Sequence, residues 1–373
     1  MILPTTPTKP TKTYKTYKNL QKPTKPTQPH INMNRTLLEQ LCNTTAISGY
    51  ENETTDLFLE TLRAHASECG KDIMGSGVAF IGKKGERPRI MLEAHADEIG
   101  FQVLYVSDSG YVYMRQNGGI DEQCLPGTQV VITTQKGEKI HGVIGKKPVH
   151  LLTTEERKVT YKLYQLWIDT GLEPSEVKER ISVGDAVAVK PNLTWLGTHR
   201  VTSKSLDNRI GLYTLIESLK MLAQQGADGI AGVATVQEEV GCRGALVAAN
   251  NLNPEISITI DVDFATDVPD CPASHYGSIG LGDGVVIQRN LDCDTTLSLE
   301  LERIAKEKGI PYQIAARTHA SGGNNASRIQ LAQKGIRTAA LAIPCRYMHT
   351  PVEVCDMRDV DAAIRLISEV MRL

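Results

Sequence analysis

Residue types that bind metals recur where apolar runs of this chain stop. Residues 89–93 form a short apolar run that leads into Ala94-His95-Ala96-Asp97-Glu98-Ile99-Gly100. In an extended backbone His95 and Asp97 point to one side. An imidazole can then bind a metal through one nitrogen while a carboxylate holds the other N–H and fixes the tautomer. Residues 230–236 run into Gln237-Glu238-Glu239-Val240-Gly241. Adjacent side chains diverge, so Glu239 is assigned to a metal and Glu238 to general-base work on water. A third run, Ile258-Thr259-Ile260, ends in Asp261-Val262-Asp263; alternation puts both aspartates on one side and leaves the choice between them open. His349 follows the run 338–343, in Pro344-Cys345-Arg346-Tyr347-Met348-His349-Thr350-Pro351. Asp207, in Ser205-Leu206-Asp207-Asn208-Arg209, stands at a helix start, where it either caps the helix or bridges two metals. Two imidazoles and three carboxylates suit two borderline divalent ions about 3.5–4 Å apart, zinc first, with cobalt or manganese as alternatives.

Such residues act together only if the fold collects them. After Met33 helical and strand-like stretches alternate. Residues 34–68 read as two helices separated by Ser48-Gly49, and residues 205–226 as a helix. Strand-like runs follow at 230–236, 256–262, 285–288, 312–316 and 338–343, with helical stretches near 242–250, 295–308, 326–333 and 358–372. That alternation predicts an α/β fold, a sheet sandwiched by helices, in which sites form at the carboxyl ends of strands. Between 101 and 198 the texture changes to short Val, Ile and Tyr runs split by turn signals such as Asp108-Ser109-Gly110 and Lys136-Gly137. This predicts a small inserted β-barrel or sandwich, with 153–166 as a loop or short helix. The catalytic domain is accordingly read as 33–100 plus 199–373.

The remaining composition removes whole classes of function. The formal net charge of −2 gives no electrostatic reason for nucleic acid or an anionic membrane as partner. No apolar run approaches the ~20 residues that cross a bilayer. Eight scattered cysteines without a Cys-x-x-Cys pair read as reduced thiols of a cytoplasmic protein. Residues 1–32, rich in Thr, Pro and Lys, hold six lysines and no acid. They read as a disordered tail, with Met33 as the natural start.

Taken in order, Ala94-His95-Ala96-Asp97-Glu98-Ile99-Gly100, Leu206-Asp207-Asn208-Arg209, Val236-Gln237-Glu238-Glu239-Val240-Gly241-Cys242-Arg243-Gly244-Ala245, Ile260-Asp261-Val262 and Ile343-Pro344-Cys345-Arg346-Tyr347-Met348-His349-Thr350-Pro351 resemble the tetrahedral aminopeptidase family. That family includes glutamyl aminopeptidases and proteins once labelled cellulase M. The resemblance runs from about Met33 to Leu373. It implies a two-metal aminopeptidase fold, a mixed sheet between helices, with His95, Asp207 and Asp261 on one metal. Asp207, Glu239 and His349 would hold the other, so that Asp207 bridges. Glu238 would be the base and Asp97 the partner of His95, and Asp261 is preferred over Asp263. It also implies that the inserted β domain makes dimer contacts, and that chains assemble as homo-oligomers from dimers to tetrahedral dodecamers.

The reaction expected from these parts is hydrolysis of N-terminal residues from peptides, with a water bridging two metals and Glu238 moving its proton. One stretch departs from the pattern: Gly322-Gly323-Asn324-Asn325-Ala326 stands where the family carries Gly-Gly-Thr-Asp-Ala, which bears on the substrate pocket. Arg317 and His319 nearby are read as structural or solvent-facing. The alternatives are a dipeptidase or amide deacylase of the related two-metal clan, a glucanase, and a non-catalytic homologue. The insert's position before Asp207 favours the aminopeptidase branch.

Overall fold

The computed structural model describes residues 33–83, 87–316 and 323–373. The tail 1–32, Arg317, His319 and Gly322 lie outside the described residues.

Four strands form the parallel heart of an eleven-stranded sheet, in the order Ile230–Thr235, Ile90–His95, Ile256–Phe264 and Arg337–Arg346. Their side chains are buried almost throughout, on both faces. That is why they read as continuous apolar runs rather than alternating ones. Antiparallel strands extend both sides. Gly77–Ile81 and Glu68–Lys71 lie beyond Ile230–Thr235, whereas Glu353–Asp356, Arg200–Ser203 and Thr194–Leu196 continue from Arg337–Arg346. Val285–Gln288 also pairs with Arg337–Arg346, and Tyr312–Ala315 pairs with Val285–Gln288.

Helix Leu206–Gln224 crosses the sheet and buries most of its length. Gly232 permits the approach: a Cβ there would meet Leu219 Cδ1 at 2.2 Å. Helices are capped by sequence-local groups: Asn34 accepts from the Leu37 amide, Asp294 from Leu297 and Asp356 from Arg358. Helix Thr295–Lys308 stops at Gly309 in the left-handed conformation.

The insert is a closed antiparallel barrel. Around it run Gly100–Val106, Val112–Asn117, Trp167–Asp169, Lys139–Gly145, Gln129–Thr133 and Ala186–Val189. Lys139–Gly145 alternates exposed and buried side chains, and Phe101, Val103, Ile132, Ile140, Ile168 and Val187 fill the interior. Thr194–Leu196, expected with the insert, pairs with Arg200–Ser203 at the edge of the large sheet. Residues 153–166 hold only the 3₁₀ turns Glu156–Lys158 and Leu163–Gln165.

Two expectations shorten. The helix near 326–333 spans Ala326–Ile329 only, because Gln333 takes a left-handed backbone and the chain turns at Gly335. The helix from 358 ends at Ile367, followed by a 3₁₀ turn at Val370–Arg372.

Candidate metal centre

The carboxyl ends of the parallel strands meet in one buried cluster. Ile90–His95 delivers His95, Ile256–Phe264 delivers Asp261, and the turn after Ile230–Thr235 delivers Glu238 and Glu239. Asp207 enters from the start of helix Leu206–Gln224, where its own backbone is not yet helical. His349 arrives on the loop after Arg337–Arg346.

Asp207 lies at the centre. Its Oδ1 is 3.0 Å from His95 Nε2, and its Oδ2 is 3.4 Å from His349 Nε2. On the His95 side, Asp261 Oδ1 is 3.6 Å from the same Nε2. On the His349 side, Glu239 Oε2 is 3.4 Å from Nε2. Donor atoms of His95, Asp207 and Asp261 all lie within 4.8 Å of one another, as do those of Asp207, Glu239 and His349, and those of His95, Glu238 and Glu239. Asp263, the alternative to Asp261, accepts a hydrogen bond from Gln288 Nε2 at 3.0 Å.

Asp97 does more than face His95, although its Oδ1 is 3.3 Å from His95 Nδ1. The same carboxylate accepts the backbone N–H groups of Glu238 and Glu239 at 3.0 and 3.1 Å, and the Ser48 hydroxyl at 2.7 Å. One buried acid therefore sets the imidazole and the paired glutamates together. Glu353, unnoticed in the sequence, does the equivalent on the far side: it accepts from the amides of Asp207 and His349, each at 2.8 Å. Its signal was faint, because it lies in a four-residue strand with no periodicity.

Deeper still, Glu98 receives Lys204 and Ser205, while Arg209 Nη2 stands 3.3 Å from its Oε1. Arg209 also donates to the Ala96 carbonyl at 2.7 Å. Cys242 Sγ lies 3.3 Å from Glu238 Oε1. The barrel closes one side: a Cβ on Gly118 would come within 3.3 Å of Glu239 Cβ, and one on Gly119 within 3.3 Å of His349 Nδ1.

Electrostatics follow from packing this many acids out of water. Burial pushes Glu238 up to about 8. Burial and the charges of Asp207 and Glu238 push Glu239 well above the carboxylate range. Burial likewise raises Asp261, and raises Glu353 far more. For Asp207 burial acts upward, but the two histidines outweigh it and its pKa falls below the ordinary value. Burial disfavours a charged His95, yet hydrogen bonds to Asp207, Asp261 and Asp97 hold its pKa well above 6.5. Glu239 Oε1 is buried with no hydrogen-bond partner among the described residues. Crowded carboxylates and an orphaned oxygen are groups that divalent cations satisfy, so the residues present fit a metal centre.

Asn324 and Asn325 are both buried. Asn324 donates to Gln288 Oε1 at 2.9 Å and accepts from the Ala326 amide at 3.1 Å. Gln288, the partner of Asn324, is itself fully buried.

The fold and the site together define an α/β protein with a carboxylate–imidazole centre at its strand ends, and the comparisons with known proteins place it among the peptidases. The model of the M42 glutamyl aminopeptidase family matches residues 75–366. The lysyl aminopeptidase of Pyrococcus furiosus is 34% identical over 338 residues, covering 88% of this chain and 94% of the relative. Among solved structures, a TET aminopeptidase from a marine sediment Thaumarchaeota archaeon superposes with a TM-score of 0.84 at 32% identity, covering 90% of this chain and 95% of the other. The TET1 peptidase of Pyrococcus horikoshii, described as assembling into a tetrahedron or a large octahedral shell, gives 0.80 at 31% identity, covering 90% and 98%. The chain belongs to the M42 glutamyl aminopeptidase family of peptidases.

Proposed function

We propose that this M42 peptidase removes N-terminal residues from peptides with two divalent ions, zinc first among them. His95, Asp207 and Asp261 would hold one ion, and Asp207, Glu239 and His349 the other. The observation that carries the reading is the division of Asp207: its two carboxylate oxygens face two different imidazoles, at 3.0 and 3.4 Å. Ions held there would supply Lewis acidity to the scissile carbonyl and make a nearby water more acidic.

The chain's own residues do the rest. Glu238, like Asp97, lies outside both proposed ligand sets; burial pushes its pKa up to about 8, and cations held beside it would favour the carboxylate that a base must be. It takes a proton from the attacking water at its carboxylate and passes it to the departing amine. Asp97 keeps His95 in one orientation and, through two backbone amides, holds Glu238 beside the reacting bond. The buried walls exclude bulk water from that transfer.

Two further features belong to this reading. The insert at 101–198 serves assembly into dimers and larger homo-oligomers, a reading supported by the shells described for the horikoshii relative. A cytoplasmic location accords with eight free thiols. Among the described residues, no helix is long and apolar enough to cross a membrane.

A panel of aminoacyl anilides and N-acyl amino acids, offered to metal-stripped protein reloaded with zinc, cobalt or manganese, tests the function. Metal-dependent cleavage of free-amine substrates alone is expected. Preferential cleavage of N-acyl substrates would contradict it.

A further inference from the structure

Beneath the proposed metal centre lies a smaller polar cluster that none of the roles above uses. Glu93 sits two residues before His95 on one strand, and Thr259 two residues before Asp261 on the next; Glu93 and Thr259 are register partners. Strand side chains alternate, so Glu93 shares the face of His95, and Thr259 that of Asp261. Glu93 and Asn325 are 0% and 1% exposed. Glu93 Oε2 accepts from the Thr235 hydroxyl at 3.1 Å and from Asn325 Nδ2 at 2.9 Å. The same Nδ2 donates to Thr235 Oγ1, also at 2.9 Å.

The chemistry of this triangle is restrictive. An amide nitrogen has two hydrogens, and here one serves the carboxylate and the other the hydroxyl. A carboxylate at 325 would supply neither, and would set two buried acids against each other in a dry interior. The chain thus places one carboxyl in this pair, and places it at 93.

We propose that Glu93 and Asn325 act together as a positioning pair behind the metal-holding face, with the carboxyl at 93 and its amide partner at 325. Asn325 then serves Glu93 and Thr235 rather than a substrate. The inference rests on the metal reading of the site. Asn325 ties Thr235 and Glu93 to the turn before Ala326–Ile329, and so fixes the strand ends that carry the proposed ligands.

The test compares wild type, Glu93→Gln, Asn325→Asp and the double variant. Two readouts are taken on each: melting temperature of the metal-free protein, and cobalt affinity by chelator competition with the visible spectrum of bound cobalt. Asn325→Asp is expected to lower the metal-free melting temperature by about 5 °C and to weaken cobalt binding about tenfold or more. Glu93→Gln should weaken binding about threefold to tenfold. The double variant, with its carboxyl at 325 facing an amide at 93, should recover the cobalt spectrum and come within about threefold of wild type. An Asn325→Asp protein indistinguishable from wild type would overturn the proposal, as would double-variant losses equal to the sum of the single ones. If Asn325→Asp does not fold, Asn325→Ala removes the donors without adding charge, and unchanged cobalt affinity in it would likewise overturn the proposal. Should wild type bind no cobalt, the metal reading fails, while the melting temperatures of the metal-free set still decide the pair.

Discussion

The two ends of the same parallel strands are built from opposite chemistry. At the amino ends, Arg87, Arg89, Lys334 and Arg337 rim an open cavity of about 740 Å³. Their charges stand in or near water: the Arg87–Glu255 pair, 3.4 Å apart, is half exposed on both sides. At the carboxyl ends, Asp97, Asp207, Glu238 and Asp261 converge out of water with His95, joined by Glu239 and the partly exposed His349. Solvated cations need no partner, whereas buried acids must be protonated, hydrogen-bonded or neutralised by cations. The contrast sets the candidate site apart from the opposite end, and explains why its support is elaborate.

If that contrast is real, variants at the two ends should differ sharply. The largest effect is expected from Glu238→Gln, which should keep its metal and its melting temperature while kcat falls about 10²–10⁴-fold. Full turnover in that variant would remove the assigned base. Next comes the buried ion network behind the site. Lys204→Ala leaves Arg209 as the remaining cation beside the buried Glu98 carboxylate, and urea unfolding should show a loss of about 3 kcal/mol. A loss under about 1 kcal/mol would mean that the network is dispensable.

Asp356 should give a smaller, pH-dependent effect. Burial pushes its carboxyl up, but the hydrogen bonds and charge of Arg358, with Arg200, outweigh burial and leave the pKa below the ordinary value. A group whose folded pKa is depressed contributes stability above its unfolded pKa of about 3.9, and that contribution disappears as pH falls through the folded value. Asp356→Asn, which keeps a side chain able to cap the helix, should therefore cost about 1–2 kcal/mol at pH 7 through its charged hydrogen bonds alone. The gap to wild type should narrow below about pH 4. A gap unchanged between pH 7 and pH 3 would speak against the ion pairs. Smallest of all is Arg87→Ala at the opposite end, expected within about 0.5 kcal/mol of wild type.

The same contrast explains what the sequence could reveal. Acids that end apolar runs are conspicuous, so His95, Glu238, Glu239 and Asp261 were visible as candidates, and the strands carrying them were located within a few residues. Asp261 and Asp263 could not be separated by alternation, because both lie on one side. In the fold, Asp261 faces His95 and Asp263 bonds Gln288. Glu353 was invisible because its partners are backbone amides, that of Asp207 lying 146 residues away. The second task of Asp97, holding the Glu238 and Glu239 amides, spans 141 and 142 residues. Short strands such as Glu68–Lys71 and Glu353–Asp356 carry mixed polar residues and gave no period to read. What pattern cannot convey is tertiary hydrogen bonding, and that is what orients this site.

The most direct test of the account counts metal in the wild-type protein and in Asp207→Asn, after stripping and reloading with zinc, alongside aminopeptidase turnover of the same samples. The account predicts two ions per chain in wild type, and loss of tightly bound metal together with turnover when the shared carboxylate is neutralised. Two ions retained in Asp207→Asn, or wild-type turnover in the stripped protein, would contradict it.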